Sequence, residues 1–337
     1  MDRNILNRFR RSLMERRESL LEWFRTSSDT KKEQICCAQA DELPPVVTEI
    51  DNALTRIDRG DFGRCVECDE DVEVERLQLD FTTCVCLGHY SDDQLQALEH
   101  DLELAAKVQQ QLLPTKLPAL PGAQLAVHSQ PARIVSGDYF DFFADPSGGQ
   151  GLVIADVMGK GLGASMLMSN LQASLRILGP EHKDLQSMAT RLNELFRYNL
   201  KLIRFISIFL AKLDLKQRTL QYCNAGHHPP LWWEAATQTV RWLKPTGPAI
   251  GLIHTPDYRS ETVRFNPGDI LVMYTDGLVE ARNGKMEEFG EDRLAQYTMK
   301  NFHRNAEDFL QGLRQNVAQF SDNKFHDDIT IKVVKFE

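Results

Sequence analysis

The sequence has no apolar stretch approaching the roughly 20 residues that a membrane-spanning helix needs, which argues against a transmembrane span. Its basic N-terminus is not followed by an apolar segment, so it does not read as a secretory signal. Positive charge is not in excess: the net charge of −9 argues against non-specific nucleic-acid binding by the chain as a whole. Internal repeats and low-complexity tracts are missing. Cysteine is sparse, seven in 337 residues, and four of the seven fall in one cluster, which reads as reduced thiols or metal ligands rather than disulfides. These absences point to a cytoplasmic globular protein without a membrane partner, and 42% hydrophobic and 26% charged residues fit that class.

The length allows two domains. Seven arginines against four acidic residues in positions 1–25 make a basic helical face, read as a solvated surface. Ile5, Phe9, Leu13, Leu20 and Phe24 fall near one side of a predicted helix over 4–26. A second helix is predicted from about Val46 to Ile57, giving a helical hairpin. A third starts at Ser91, an N-cap followed by Asp92 and Asp93. In it Leu95, Leu98, Leu102, Ala105, Gln109 and Leu112 repeat at heptad spacing. That seam suggests either packing on its own domain or a linker over 91–113 that makes a homodimer. Pro114, Pro118 and Pro121 end the helix.

From Gly122 onward the texture is β-runs broken by turns. Strands are expected at Gln124–Gln130, Leu152–Asp156, Phe205–Asp214, Thr219–Asn224, Asp269–Thr275 and Ile329–Phe336. Leu215–Arg218 and Asn266–Asp269 are expected as hairpin connections. Helices are expected at Ala164–Leu178, Leu185–Leu202 and Ala306–Phe320. Trp232, Trp233 and Trp242 read as strand packing. The fold class is α+β, with domains at 1–90, a linker at 91–113 and a catalytic domain at 114–337.

Cys65-x2-Cys68, then 17 residues, then Cys86-x2-His89 has the spacing of a structural zinc site, with Cys84 as a rival ligand. Cys36 and Cys37 have no spacing argument and read as free thiols. The run I-D-R-G-D-F-G-R-C-V-E-C-D-E-D-V-E-V-E-R-L resembles the zinc finger of the DksA/TraR family of bacterial RNA polymerase regulators, over about residues 45–90. That family inserts acidic residues from a hairpin tip into a polymerase channel. Here only Asp29 stands near such a tip and no D-x-x-D-x-A motif is present, so a structural or sensory module, open to an upstream signalling partner, is the expectation.

Four acidic positions end apolar runs or sit beside glycine turns: Asp138 in S-G-D-Y-F-D, Asp156 after G-L-V-I-A, Asp276 after I-L-V-M-Y-T, and Asp327 with Asp328 in H-D-D-I-T. Oxygen ligands held rigidly at strand ends are what hard divalent cations need, and metal-assisted hydrolysis follows as the leading idea.

V-S-G-D-Y-F-D, A-D-V-M-G-K-G, N-A-G-H-H-P-P-L, G-P-A-I-G-L, Y-T-D-G-L-V-E-A and H-D-D-I-T resemble the successive motifs of the PPM-type metal-dependent Ser/Thr phosphatases. The similarity is greatest to the bacterial branch typified by stage II sporulation protein E and RsbU, from about Leu98 to the end of the sequence. The resemblance implies a layered α-β-β-α sandwich holding two Mn²⁺ or Mg²⁺ ions. Asp156 would bridge them with the Val157 carbonyl on one; Asp276 and Asp327 would complete one shell, and Asp138 would hold the second ion. It also implies a phosphorylated STAS-type anti-anti-sigma factor as substrate. Arg133, five residues before Asp138, stands where relatives place a phosphate-binding arginine. Met158 replaces a histidine that eukaryotic relatives use as general acid. His227 and His228, followed by two prolines, are expected to shape a turn rather than ligate. The rival reading is a DksA/TraR-type polymerase-binding regulator with a secondary phosphatase domain; the full set of acidic positions argues against a mere pseudophosphatase scaffold.

Overall fold

The structure, a computed structural model, describes residues 3–26, 45–89, 91–145, 148–159, 161–182, 184–199, 205–253 and 255–337. Asp29, Cys36 and Cys37 lie outside them. The chain forms two compact units, 1–99 and 100–337. The division falls inside a helix of the expected linker rather than at either of its ends. No helix of the described residues is long and apolar enough to cross a membrane.

In the first unit, α1 (Arg3–Thr26) and α2 (Pro45–Arg59) run antiparallel, with Arg10 meeting Asp58 and Arg17 meeting Asp51, each at 2.5 Å. Exposed pairs of this kind contribute little, and the apolar stripe decides the packing. Leu13, Ile50, Ala53 and Ile57 are buried together with Phe62, Cys65, Val72, Leu77 and Cys86. A short helix, α3 (Val74–Leu79), precedes the last cysteine pair.

Helix α4 (Asp92–Leu112) is capped as expected. The Ser91 hydroxyl accepts from the Gln94 amide, and the Gln94 side chain accepts from the Ser91 amide, a reciprocal capping box. The heptad seam does not behave uniformly. Leu98 is exposed, whereas Gln109 is buried and its amide clasps the backbone of Ser136 in both directions, at 2.7 and 2.9 Å. A buried amide satisfied this way is committed to its own domain.

The second unit is a sandwich of two five-stranded antiparallel sheets. Sheet one runs β2 (Asp138–Ala144), β3 (Gln150–Val157), β4 (Ile206–Asp214), β5 (Thr219–Ala225), β8 (Glu261–Arg264). Sheet two runs β1 (Ala123–Gln130), β10 (Ile329–Phe336), β9 (Ile270–Tyr274), β6 (Leu231–Glu234), β7 (Thr239–Trp242). Alternation along the strands sorts side chains between layers. Leu152, Ile154, Phe209, Leu271, Met273, Val334 and Phe336 fill the gap between the sheets. Val153, Ala155, Ile208 and Leu210 face α5 (Leu162–Glu181) and α6 (Leu185–Asn199). Val272, Ile331 and Val333 face α8 (Gly290–Asn301) and α9 (Ala306–Phe320). Trp232 enters the inner layer and Trp233 the outer one, so both pack on strands.

The expected Leu215–Arg218 hairpin joins β4 to β5, with Asp214 opposite Thr219. Asn266–Asp269 is different: it carries the chain from β8 in sheet one to β9 in sheet two. Its tightness comes from Asp269, whose carboxylate accepts from the amides of Asn266 and Ala235. The turn was legible, but which sheet each flank joins was not.

Lys332 is fully buried between the sheets. From β10 its ammonium donates to the carbonyls of Asp141 and Val153, paired residues of β2 and β3, and it lies 4.0 Å from the Phe142 ring. Burial brings its pKa down to about 7, with Asp141 opposing. The unfolded chain therefore binds more protons than the folded one between about pH 7 and 10, and stability rises with pH across that window. Lys332→Met is expected to flatten this rise by about 2 kcal/mol between pH 7.5 and 9.5, measured as paired denaturant titrations of wild type and variant.

Candidate metal centre

Strand parity aims the carboxylates. Asp156 shares the inward face of β3 with Leu152 and Ile154, and Asp138 lies directly opposite it on β2. On sheet two, Thr275 continues the inward side of β9 set by Leu271 and Met273. Asp328 and Thr330 continue that of β10 set by Val334 and Phe336. All arrive at one end of the intersheet gap. Asp276 opens a one-turn helix, α7 (Asp276–Val279), directly after β9.

The two sheets are tied together at this point. The Thr275 hydroxyl donates to Asp138 Oδ2 at 2.8 Å and accepts from the Thr330 amide at 2.9 Å. The Asp138 amide donates to the Ser136 hydroxyl. Both Asp328 oxygens are occupied by the loop before β2, accepting from the amides of Ala132 and Gly137 at 2.7 and 2.8 Å. Asp328 therefore holds the loop that bears Arg133, and Asp327, half-buried beside it, is the carboxylate left nearer to Asp276. Arg133 is exposed on that loop.

The electrostatics are those of crowded anions. Burial first, then Asp156 and Asp328, hold the Asp138 carboxyl well above its ordinary value. Asp276 is raised to about 6, by burial and then by Asp327 and Glu280, with His228 opposing. Carboxylates pressed together in a partly dry cleft, a donor set dominated by oxygen, fit divalent Mn²⁺ or Mg²⁺. The Val157 carbonyl faces the Asp138 loop: a Cβ on Gly137 would lie 2.9 Å from it, so only glycine lets the two segments approach this closely.

His227 is buried and turns inward. Its Nδ1 lies 2.8 Å from the Ser207 hydroxyl, and burial, then His228, lower its pKa to about 3, so it stays neutral. The His228 ring nitrogen, Asp276 and Glu280 bring ligand atoms within 4.8 Å of one another. Glu280 was not singled out from the sequence, although its place four residues after Asp276 on a helical turn was visible.

In the first unit Cys65, Cys68, Cys86 and His89 also bring four ligand atoms within 4.8 Å. Cys84 is outside this group; its carbonyl accepts from the Val66 amide. The Cys68 and Cys86 sulfurs are 3.6 Å apart, close to the roughly 3.8 Å edge of a tetrahedron with 2.3 Å zinc–sulfur bonds.

The profile described as stage II sporulation protein E (SpoIIE) matches residues 146–337. The chain belongs to the SpoIIE family. Among its relatives, phosphoserine phosphatase RsbU of Bacillus subtilis (strain 168) is 28% identical over 267 residues, covering 76% of this chain and 78% of RsbU. The SiaA-PP2C domain of Pseudomonas aeruginosa superposes with a TM-score of 0.63 at 22% identity, covering 72% of this chain and 98% of that one. The RsbU and RsbW domains of Rv1364c from Mycobacterium tuberculosis give 0.59 at 26%, covering 67% and 63%. The fold is thus that of the PP2C-type phosphatases, with two antiparallel sheets as the SpoIIE-family resemblance implied.

Gly277 is the tightest point of the site. A Cβ there would meet the Asp328 carbonyl at 2.1 Å, an overlap with backbone that no rotamer relieves. Gly277→Ala is expected to cost about 2 kcal/mol or more and to push Asp276 away from Asp327. A lower thermal midpoint together with weaker Mn²⁺ binding by calorimetry is the expected result.

Proposed function

We propose that the chain is a metal-dependent protein serine/threonine phosphatase that removes phosphate from a regulatory protein. The observation that carries this is the convergence of Asp138, Asp156, Asp276 and Asp327 at one end of the intersheet gap in a SpoIIE-family domain. Relationship to RsbU, named a phosphoserine phosphatase, supports the reaction class.

Asp156, Asp138, Asp276, Asp327 and the Val157 carbonyl would hold two Mn²⁺ or Mg²⁺ ions. When bound, such a pair lowers the pKa of a water that attacks phosphorus in line, and it offsets phosphate charge. The chain's own groups supply the rest. Thr275 fixes the direction of Asp138. Asp328 anchors the loop from which Arg133 would grip the phosphate through two N–H groups. Met158 has no proton to give, so the leaving serine oxygen takes its proton from water or from another group.

The substrate in this reading is a phosphorylated STAS-type anti-anti-sigma factor in the cytoplasm. Cys65, Cys68, Cys86 and His89 bind one structural Zn²⁺ in a DksA/TraR-like finger carried by the α1–α2 hairpin, where an upstream signalling partner acts. The exposed Leu98 end of helix 91–113 serves a homodimer, while the Gln109 end is spent on the catalytic unit.

Phosphoserine hydrolysis is expected to require Mn²⁺ or Mg²⁺ and to fall about 10³-fold or more, some 4 kcal/mol of barrier, in Asp156→Asn and Asp276→Asn. Full turnover in EDTA sinks the mechanism. Separately, Cys86→Ser is expected to lose zinc and Cys84→Ser to keep it, read by native mass spectrometry; the reverse pattern assigns the wrong thiol.

A further inference from the structure

The metal end of sheet one carries an apolar rim. Met158, Leu162, Met166, Leu252 and Ile253 are each between 41% and 65% exposed. Single exposed apolar residues are ordinary; a group beside a reaction centre is not. Met158 directly follows Val157, and Leu162 and Met166 lie one turn apart on the outer side of α5, whose inner side is Ala164, Met168 and Leu171.

The other two residues come from a different part of the chain and are brought to the same edge. The Met158 amide donates to Phe205, and Ile206 pairs on one side with Val157 and on the other with Ile250. Met158 and the 251–253 turn are therefore about two strand spacings apart, roughly 10 Å. The buried Asn193 of α6 fixes that turn, accepting from the Gly251 amide and donating to the Ile253 carbonyl. On the opposite side, a Cβ on Gly137 would touch the Val157 carbonyl, the Gly159 carbonyl and Ala164, so the rim is continuous with the Asp138 loop.

We infer that this rim is the docking surface for the phosphoprotein substrate, and that it recognises an apolar patch on a folded protein face rather than a charged linear motif. The inference rests on the phosphatase reading above. A phosphoserine seated at the carboxylate cluster brings the surface around it onto whatever borders the cluster, and this border of the site is apolar. Small phosphate esters reach the same carboxylates without touching the rim, so the two kinds of substrate separate docking from chemistry.

The test uses the full chain with Mn²⁺, p-nitrophenyl phosphate, and a seryl-phosphorylated STAS-domain protein, comparing wild type with Met166→Asp, Leu252→Asp and the conservative Met166→Leu. The aspartate variants are expected to raise KM for the phosphoprotein at least tenfold with kcat nearly unchanged, to hydrolyse p-nitrophenyl phosphate within twofold of wild type, and to keep the wild-type thermal midpoint. Met166→Leu is expected to behave as wild type. Unchanged KM for the phosphoprotein overturns the proposal, as does an equal loss on both substrates. A shift in oligomeric state by light scattering, making the rim a contact between copies, overturns it too. A wild-type enzyme active on the ester but inert on the phosphoprotein also overturns it, because the rim then has no substrate of this class to hold. Inactivity on both substrates defeats the phosphatase reading itself.

Discussion

Everything at the active end depends on one hydroxyl. Thr275 is fully buried, donates to a carboxylate of the opposite sheet and accepts from the neighbouring strand of its own. A buried carboxylate without such a donor costs several kcal/mol, and burying a leucine-sized side chain returns only about 1.5–3 kcal/mol. The intersheet apolar layer alone would favour sliding the sheets until Asp138 reached water. The hydroxyl removes that incentive and fixes where the sheets meet.

That arrangement leaves a deliberate imbalance. Asp156 and Asp328 stand close enough to Asp138, and Asp327 and Glu280 close enough to Asp276, to raise the proton affinity of those two carboxyls, while Asp328 has both oxygens satisfied by backbone amides. The division of labour between the adjacent Asp327 and Asp328 follows from strand parity. One faces the gap and reaches the loop before β2; the other is turned toward Asp276. Of the two consecutive acidic residues, one thus holds the loop and the other is left beside Asp276.

Much of this was legible beforehand. The carboxylate motifs, the cap at Ser91 and the β4–β5 hairpin each announce themselves within a few residues, because turn chemistry and capping act locally. What escaped acts across long separations. Asn266–Asp269 has hairpin chemistry, yet its flanks join different sheets, which only tertiary packing decides. Gln109 falls on a heptad position, but its amide is consumed by Ser136, 27 residues on. Thr275 looked like an ordinary strand residue, since nothing in Y-T-D-G says that an aspartate 137 residues earlier waits across the gap. The S-G-D-Y-F-D segment opens β2, a strand its aromatic content favours but its short, acidic run obscures.

Sheet two has its strands in the order β1, β10, β9, β6, β7, so the second strand in space is the last one in sequence. Residues 123–130 therefore emerge from a ribosome long before 329–336, and until then the inner edges of β1 and β9 have no partner to bond with. Sheet one, whose four leading strands are sequential neighbours, faces no such delay. Half of the sandwich is thus completed in a single late event, and that same event delivers Asp327 and Asp328. A nascent chain cannot assemble the carboxylate cluster early, so the site and the closed fold arrive together.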